Sequence, residues 1–112
     1  MGRLNYVELP VGDIPEARAF YEAAFGWSLA EFGPTYAATL TGDTDIGLQA
    51  DPAEASKAPL PVIDVPDLEA ALAAVEAAGG RIVRPIFAFP GGRRFHFLDP
   101  SGNELAAVKA DH

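Results

Sequence analysis

Tyr6, Glu8, His96 and Glu104 are the side chains whose types and spacing are suited to chemistry. Glu8 stands two residues after Tyr6, so on a strand both point to one face. An acid set among Val7, Leu9 and Val11 needs a partner if it is buried. As a base, Glu8 would take a proton alpha to a carbonyl, and an apolar cavity would have to raise its pKa first. The resulting enolate needs a stabiliser, either Tyr6 or an arginine. Glu8, Glu104 and His96 also form a two-carboxylate, one-imidazole set of the kind divalent metals take. A simpler reading leaves Glu104 solvated at a hairpin mouth and packs His96 between Phe95 and Phe97. Of Arg93 and Arg94, adjacent on a strand, at most one reaches a cavity, where it would neutralise Glu8 or bind an anion. A solvated hairpin end is the plainer account of that pair. Trp27, Phe32, Tyr36 and Tyr6 are candidate walls of an apolar pocket, although Trp27 directly after a helix also suits core or interface. Gly91-Gly92 is no phosphate loop, because no Lys-Ser/Thr and helix come after it. No convincing Ser/His/Asp order occurs, and His112 is terminal and expected to be disordered.

Composition narrows the classes. The 112 residues suit one domain with a core of its own, and 49% are apolar, which argues against disorder. No cysteine is present, so disulfides and thiolate metal sites are excluded. A net charge of −8 disfavours nucleic acid and anionic membranes as partners. No apolar run approaches the roughly 20 residues of a membrane span. The N-terminus lacks a signal-peptide profile, since a Pro and two acids interrupt the stretch after Arg3. A cytoplasmic protein is expected.

The elements that must position these side chains occur twice. Residues 11–26 align without a gap on residues 65–80, an offset of 54, and 8 of the 16 pairs are identical. In each copy an extended apolar run ends in an Asp, a helix comes next, and a glycine closes it. Residues 3–11 read as a strand with Val7, Leu9 and Val11 on one face and Tyr6 and Glu8 on the other. Asp13 caps a helix over about 14–25, which Gly26 ends. Further strands lie at 27–32, 36–41 and 46–50, with turns at Gly33-Pro34 and Gly42-Asp43. Residues 51–59 are a linker. The second half repeats the order: a strand at 60–65, a helix from Asp67 to about Ala78 stopped by Gly79-Gly80, then strands at 81–89, 93–98 and 104–109. Pro85 marks an edge or a bulge. The pattern is one domain, 1–112, of α+β class, made of two βαβββ modules (1–50 and 60–112). Each helix must pack on one sheet face, leaving the other to curl around something.

These residues resemble the vicinal oxygen chelate superfamily of glyoxalases, bleomycin-resistance proteins and extradiol dioxygenases, nearest its small glyoxalase-like members. The resemblance is carried by Leu9-Pro10-Val11-Gly12-Asp13, Ala19-Phe20-Tyr21, Phe25-Gly26-Trp27, Ala78-Gly79-Gly80-Arg81-Ile82 and Phe97-Leu98-Asp99-Pro100-Ser101-Gly102-Asn103-Glu104. It implies a curled, mostly antiparallel U-shaped sheet with helices outside, built around a divalent metal. Carried over, the metal positions fall on Tyr6, Thr39, Leu60 and Ala106, none of which makes a usual ligand set, so no metal and no cofactor is expected. The implied function is a metal-independent small-molecule binding protein of the bleomycin-resistance type. Its ligand, apolar or cationic, would lie in a sheet cavity lined by Tyr6, Glu8, Thr39, Leu60, Val62 and Ala106, with Arg94 and His96 as further contacts. A homodimer is the implied assembly. The alternative is an enzyme of lyase, isomerase or dioxygenase type with Glu8 as its base, with or without a metal at relocated ligands. A dimer whose cavity is filled by side chains is a third possibility.

Overall fold

A computed structural model describes residues 2–111; Met1 and His112, the latter expected to be disordered, lie outside the described residues. The chain order is β1 (Arg3–Pro10), α1 (Ile14–Phe25), β2 (Ala30–Glu31), β3 (Tyr36–Ala38), β4 (Asp45–Gln49), β5 (Leu60–Asp64), α2 (Leu68–Ala77), β6 (Arg81–Phe89), β7 (Gly92–Leu98) and β8 (Glu104–Ala110). Two compact units result, one formed by Tyr6–Leu60 and the other by the chain from Pro61 onward with the stretch before Tyr6. The α+β class and the twofold βαβββ order are therefore both present.

In the first unit the strands run β2-β3-β4-β1, with β1 parallel to β4 and the other neighbours antiparallel. The helix sits where its caps put it. Asp13 Oδ2 accepts from the Glu16 N–H at 2.8 Å, Pro15 lies in the first turn, and Gly26 closes the helix at φ 70°. That left-handed angle is cheap only for glycine. Ile14, Leu29, Ala37 and Leu48 form the core beneath α1, joined by Leu9, Val11, Ala17 and Ile46. Successive strand residues alternate faces, so the partners of these residues, Tyr6, Glu8, Tyr36 and Gly47, point away from the helix.

The second unit repeats this arrangement as β5-β8-β7-β6, with β5 parallel to β8. Asp67 Oδ1 accepts from the Ala70 N–H at 3.0 Å and starts α2. Val65, Leu68, Phe95, Phe97 and Ala107 make the core under that helix. The register of β6 against β7 slips on both sides of Arg84, at the site of Pro85. From Pro61 to Asp64 the pairing runs Val62–Ala106, Ile63–Ala107 and Asp64–Val108.

Four strands are shorter than the sequence implies, the first of them β1, which ends at Pro10 instead of Val11. Residues 27–29 do not extend β2, because the Leu29 N–H goes to the Glu22 side chain at 3.1 Å and Trp27 stacks on Tyr21 with centroids 5.3 Å apart. β3 stops at Ala38, because the Asp45 carboxylate gathers the chain beyond it, accepting from Thr39 Oγ1, Thr41 Oγ1 and the N–H groups of Thr41 and Gly42. The strand starting at Leu60 ends at Asp64 instead of Val65. Residues 51–59 hold no helix or strand and turn on Asp51, whose carbonyl accepts from the N–H groups of Glu54 and Ala55.

Candidate functional site

In the first unit, β1 and β4 place Glu8 opposite Gly47, and β3 places Ala38 opposite the same glycine. Glu8 is only 3% exposed. Its Oε2 accepts from the Tyr36 hydroxyl at 3.2 Å, and that hydroxyl is also in close contact with the Tyr6 hydroxyl. A phenol has one hydrogen. Since Tyr36 gives its hydrogen to Glu8, Tyr6 must give its own to Tyr36. The hydrogens thus run in one direction, Tyr6 to Tyr36 to Glu8, and what these three groups offer a ligand is acceptor oxygen and negative charge. Burial is the main reason the Tyr36 phenol is held far above its ordinary value, with the neighbouring Tyr6 and Glu8 adding to it. Tyr36 therefore stays a neutral donor at any physiological pH.

Gly47 makes this arrangement possible. A β-carbon there would overlap both tyrosine hydroxyls. The two rings lie over the β4 backbone in the space that any other residue would fill.

In the second unit, the Arg93 guanidinium bonds Glu69 of α2 through two nitrogens, at 2.7 and 3.3 Å. This puts Arg93 on the helix side and Arg94 on the opposite face, with His96. His96 is 3% exposed, and its Nδ1 lies 2.8 Å from Glu104 Oε2. Burial, more than any neighbouring charge, keeps the imidazole below its usual pKa. The slipped register of β6 pairs Arg84 with His96 and Phe87 with Arg94, so both β6 side chains join this face. The Arg84 guanidinium lies 3.7 Å from the Phe87 ring centroid. Val62 and Ala106, register partners, are buried on the same face.

Several expectations change. The Thr39 hydroxyl is engaged within its own loop, donating to Asp45 Oδ1 at 2.7 Å and accepting from the Ile46 N–H. Trp27 and Phe32 do not join the two tyrosines: Trp27 stacks on Tyr21 and Phe25 of α1, and Phe32 is exposed. Glu104 is not merely solvated, since it holds His96. Sequence reasoning missed Tyr36 as the donor to Glu8 Oε2, and it missed Gly47. The available signal was a glycine between Ile46 and Leu48 in a strand. A depression of about 360 Å³ lined by Ser28, Leu29, Ala30, Leu40 and Thr41 touches none of the expected site residues.

A sequence profile of the Glyoxalase/Bleomycin resistance protein/Dioxygenase superfamily matches residues 3–107. The chain belongs to that superfamily. A mycobacterial relative, "Putative glyoxylase CFP32" of Mycobacterium bovis, is 30% identical over 98% of this chain and 46% of its own length. The chain thus spans about half the length of the curated relatives it matches. Among solved structures, an NAD-dependent benzaldehyde dehydrogenase from Legionella pneumophila superposes with a TM-score of 0.79 at 18% identity, covering 96% of this chain and 99% of that one. Methylmalonyl-CoA epimerase from Mycobacterium tuberculosis gives 0.75 at 17% identity, covering 97% and 88%. At these identities the likeness is one of fold.

Membership in the superfamily raises the question of its metal, and strand pairing answers it for this chain. Val62 pairs with Ala106, and Glu8, 54 residues before Val62, pairs with Gly47. The counterpart of Ala106 in the first module is therefore Gly47 and not Thr39. The four positions become Tyr6, Gly47, Leu60 and Ala106, with one phenol among them and no imidazole or carboxylate. Such a set does not fit a divalent cation. Among the described residues no three His, Cys, Asp or Glu side chains are grouped to hold a metal. Glu8 is bonded to Tyr36, and His96 to Glu104.

Proposed function

We propose that this member of the glyoxalase superfamily binds a small molecule without a metal, sequestering an apolar or cationic ligand against the Tyr6–Glu8–Tyr36 face. The observation that carries this reading is the direction of the hydrogen-bond chain, Tyr6 to Tyr36 to Glu8. The Tyr36 hydrogen is committed to the carboxylate and the Tyr6 hydrogen to the Tyr36 oxygen, so a ligand meets acceptors, a negative charge and aromatic faces. A cation suits all three, since aryl rings attract positive charge through their quadrupole. An ammonium group flanked by apolar carbon is the chemistry expected. A homodimer and a cytoplasmic location belong to the same reading. The rings of Phe20 and Phe25 on α1, 60% and 61% exposed, offer apolar surface that self-association would cover.

A lyase or isomerase using Glu8 as base is the second reading, favoured by the burial of that carboxylate beside a phenol. It requires Tyr36 to release Glu8 and turn its hydrogen toward a developing enolate. Sequestration needs no such rearrangement. Calorimetry with benzyltrimethylammonium and with uncharged neopentylbenzene separates the readings. Preference for the cation, lost in Glu8→Gln, supports sequestration. Equal binding of the two, or a tightly held equivalent of divalent metal in protein purified without chelator, overturns it.

A further inference from the structure

We propose that the depression at the open end of the β2–β3 pair is a second binding site. It takes a neutral secondary amide with a branched aliphatic substituent, in place of a hydrogen-bonded rung that Ser28 and Leu40 leave unmade. Every residue involved lies in the first unit, but none belongs to the Tyr6–Glu8–Tyr36 face, and the inference does not rest on that reading.

The first step is the missing rung. In an antiparallel pair, opposite residues that exchange both backbone hydrogen bonds alternate with residues that exchange none. Between β2 and β3, Ala30 pairs with Ala38 and Glu31 with Ala37, and the Phe32 N–H donates to the Tyr36 carbonyl at 2.9 Å. Phe32–Tyr36 and Ala30–Ala38 are therefore the bonded rungs, and the next in the series is Ser28–Leu40. Among the described residues no backbone hydrogen bond joins those two. Two carboxylates draw the chain away on either side. Glu22 Oε2 takes the Leu29 N–H at 3.1 Å, and Asp45 takes the N–H groups of Thr41 and Gly42 at 2.9 and 2.8 Å. The backbone groups of Ser28 and Leu40 that would have met each other are left along the depression.

The second step is what the depression accepts. Its volume of about 360 Å³ lies at the small end of the range for ligand sites. Leu29, 4% exposed, gives it a buried wall, and Leu40, 69% exposed, stands at its rim as further apolar surface. None of the five lining residues is charged, and the Glu22 and Asp45 carboxylates are already engaged, so the ligand is neutral. A trans secondary amide is planar and carries its N–H and C=O on opposite edges. One such group can donate to one strand and accept from the other, as a peptide unit within a sheet does. An ester of the same shape lacks the donor. A longer peptide gains nothing, because the neighbouring N–H groups of Leu29, Thr39 and Thr41 are already bonded.

The test is a titration of the full chain, labelled with nitrogen-15, with N-isobutylacetamide and, separately, with isobutyl acetate, in which oxygen replaces the N–H. We expect saturable shifts centred on the backbone amide signals of Ser28, Leu29, Ala30, Leu40 and Thr41, with the Ser28 or Leu40 proton moving downfield as it gains an acceptor. The ester should bind about tenfold more weakly, the worth of one hydrogen bond. Leu40→Ala, a change at an exposed position, should weaken the amide several-fold. Glu8→Gln should leave its affinity unchanged, which separates a failure here from a failure of the first reading. A capped Ala-Leu-Ala tripeptide should bind no more tightly than the single amide. Equal affinity for amide and ester, shifts that do not saturate, or tighter binding of the tripeptide would overturn the proposal, and none of these results depends on a variant that folds.

Discussion

Glu8 and Gly47 face each other across the β1–β4 pairing, and the hydroxyl groups of Tyr6 and Tyr36 fill the space above that glycine. An acid, two phenols and a missing side chain form one unit of structure. Each is explained by the others: the carboxylate needs a donor, the donor needs room, and the glycine supplies it.

Gly47→Ala should therefore be costly although it adds a single methyl group. Overpacking of this kind costs about 1–3 kcal/mol, read as a lower urea midpoint with an unchanged slope. Pairing it with Tyr6→Phe, which removes one of the overlapping oxygens, should recover part of the loss.

Tyr36→Phe should destabilise the fold more than Tyr6→Phe. The first leaves the buried Glu8 carboxylate short of a donor, at about 1–3 kcal/mol; the second removes a donor one step further away. Thermal unfolding of the two variants at neutral pH decides the order.

Alkaline titration has a definite sign. The Tyr36 phenol is held above its ordinary value of 10.0 in the folded protein. Its contribution is complete below that value. Above it the unfolded chain releases a proton that the folded chain keeps, so stability falls by up to about 1.4 kcal/mol per pH unit. Denaturation curves between about pH 9 and 11, the range that brackets an ordinary phenol, should show this loss, and Tyr36→Phe should flatten it.

Asp45 titrates with the opposite consequence. Burial pushes its carboxyl up, but the hydroxyls of Thr41 and Thr39 and the N–H groups of Gly42 and Thr41 outweigh this and hold it below the ordinary value of 3.8. Its contribution is present above that value and is lost as pH falls through the folded-state pKa. Asp45→Asn should remove this acid-side dependence and loosen residues 39–45, seen as faster amide exchange of Thr41 and Gly42.

Adding Mn²⁺, Ni²⁺ or Zn²⁺ should leave the melting temperature where it is. A ligand that binds the folded state at about a hundred times its Kd adds about 2.7 kcal/mol, and Tyr6, Gly47, Leu60 and Ala106 provide too few donors for such binding. A rise of several degrees at micromolar metal would contradict the strand register that aligns Gly47 with Ala106.

The sequence by itself determined the two modules, both helices with their Asp caps, the closing role of Gly26 and the face shared by Tyr6 and Glu8. These depend on neighbours within a few residues and on the period of the pattern, so they can be read along the chain. The ends of β2 and β3 could not, because Glu22 and Asp45 compete for backbone N–H groups several residues away. Tertiary structure alone decided that Tyr36 meets Glu8, that Glu104 holds His96, that Arg94 and not Arg93 shares the face of His96, and that Gly47 is the partner position of Glu8. Each of these is a contact between strands, set by which residues pairing brings opposite one another. A one-residue slip in register would have replaced every one of them.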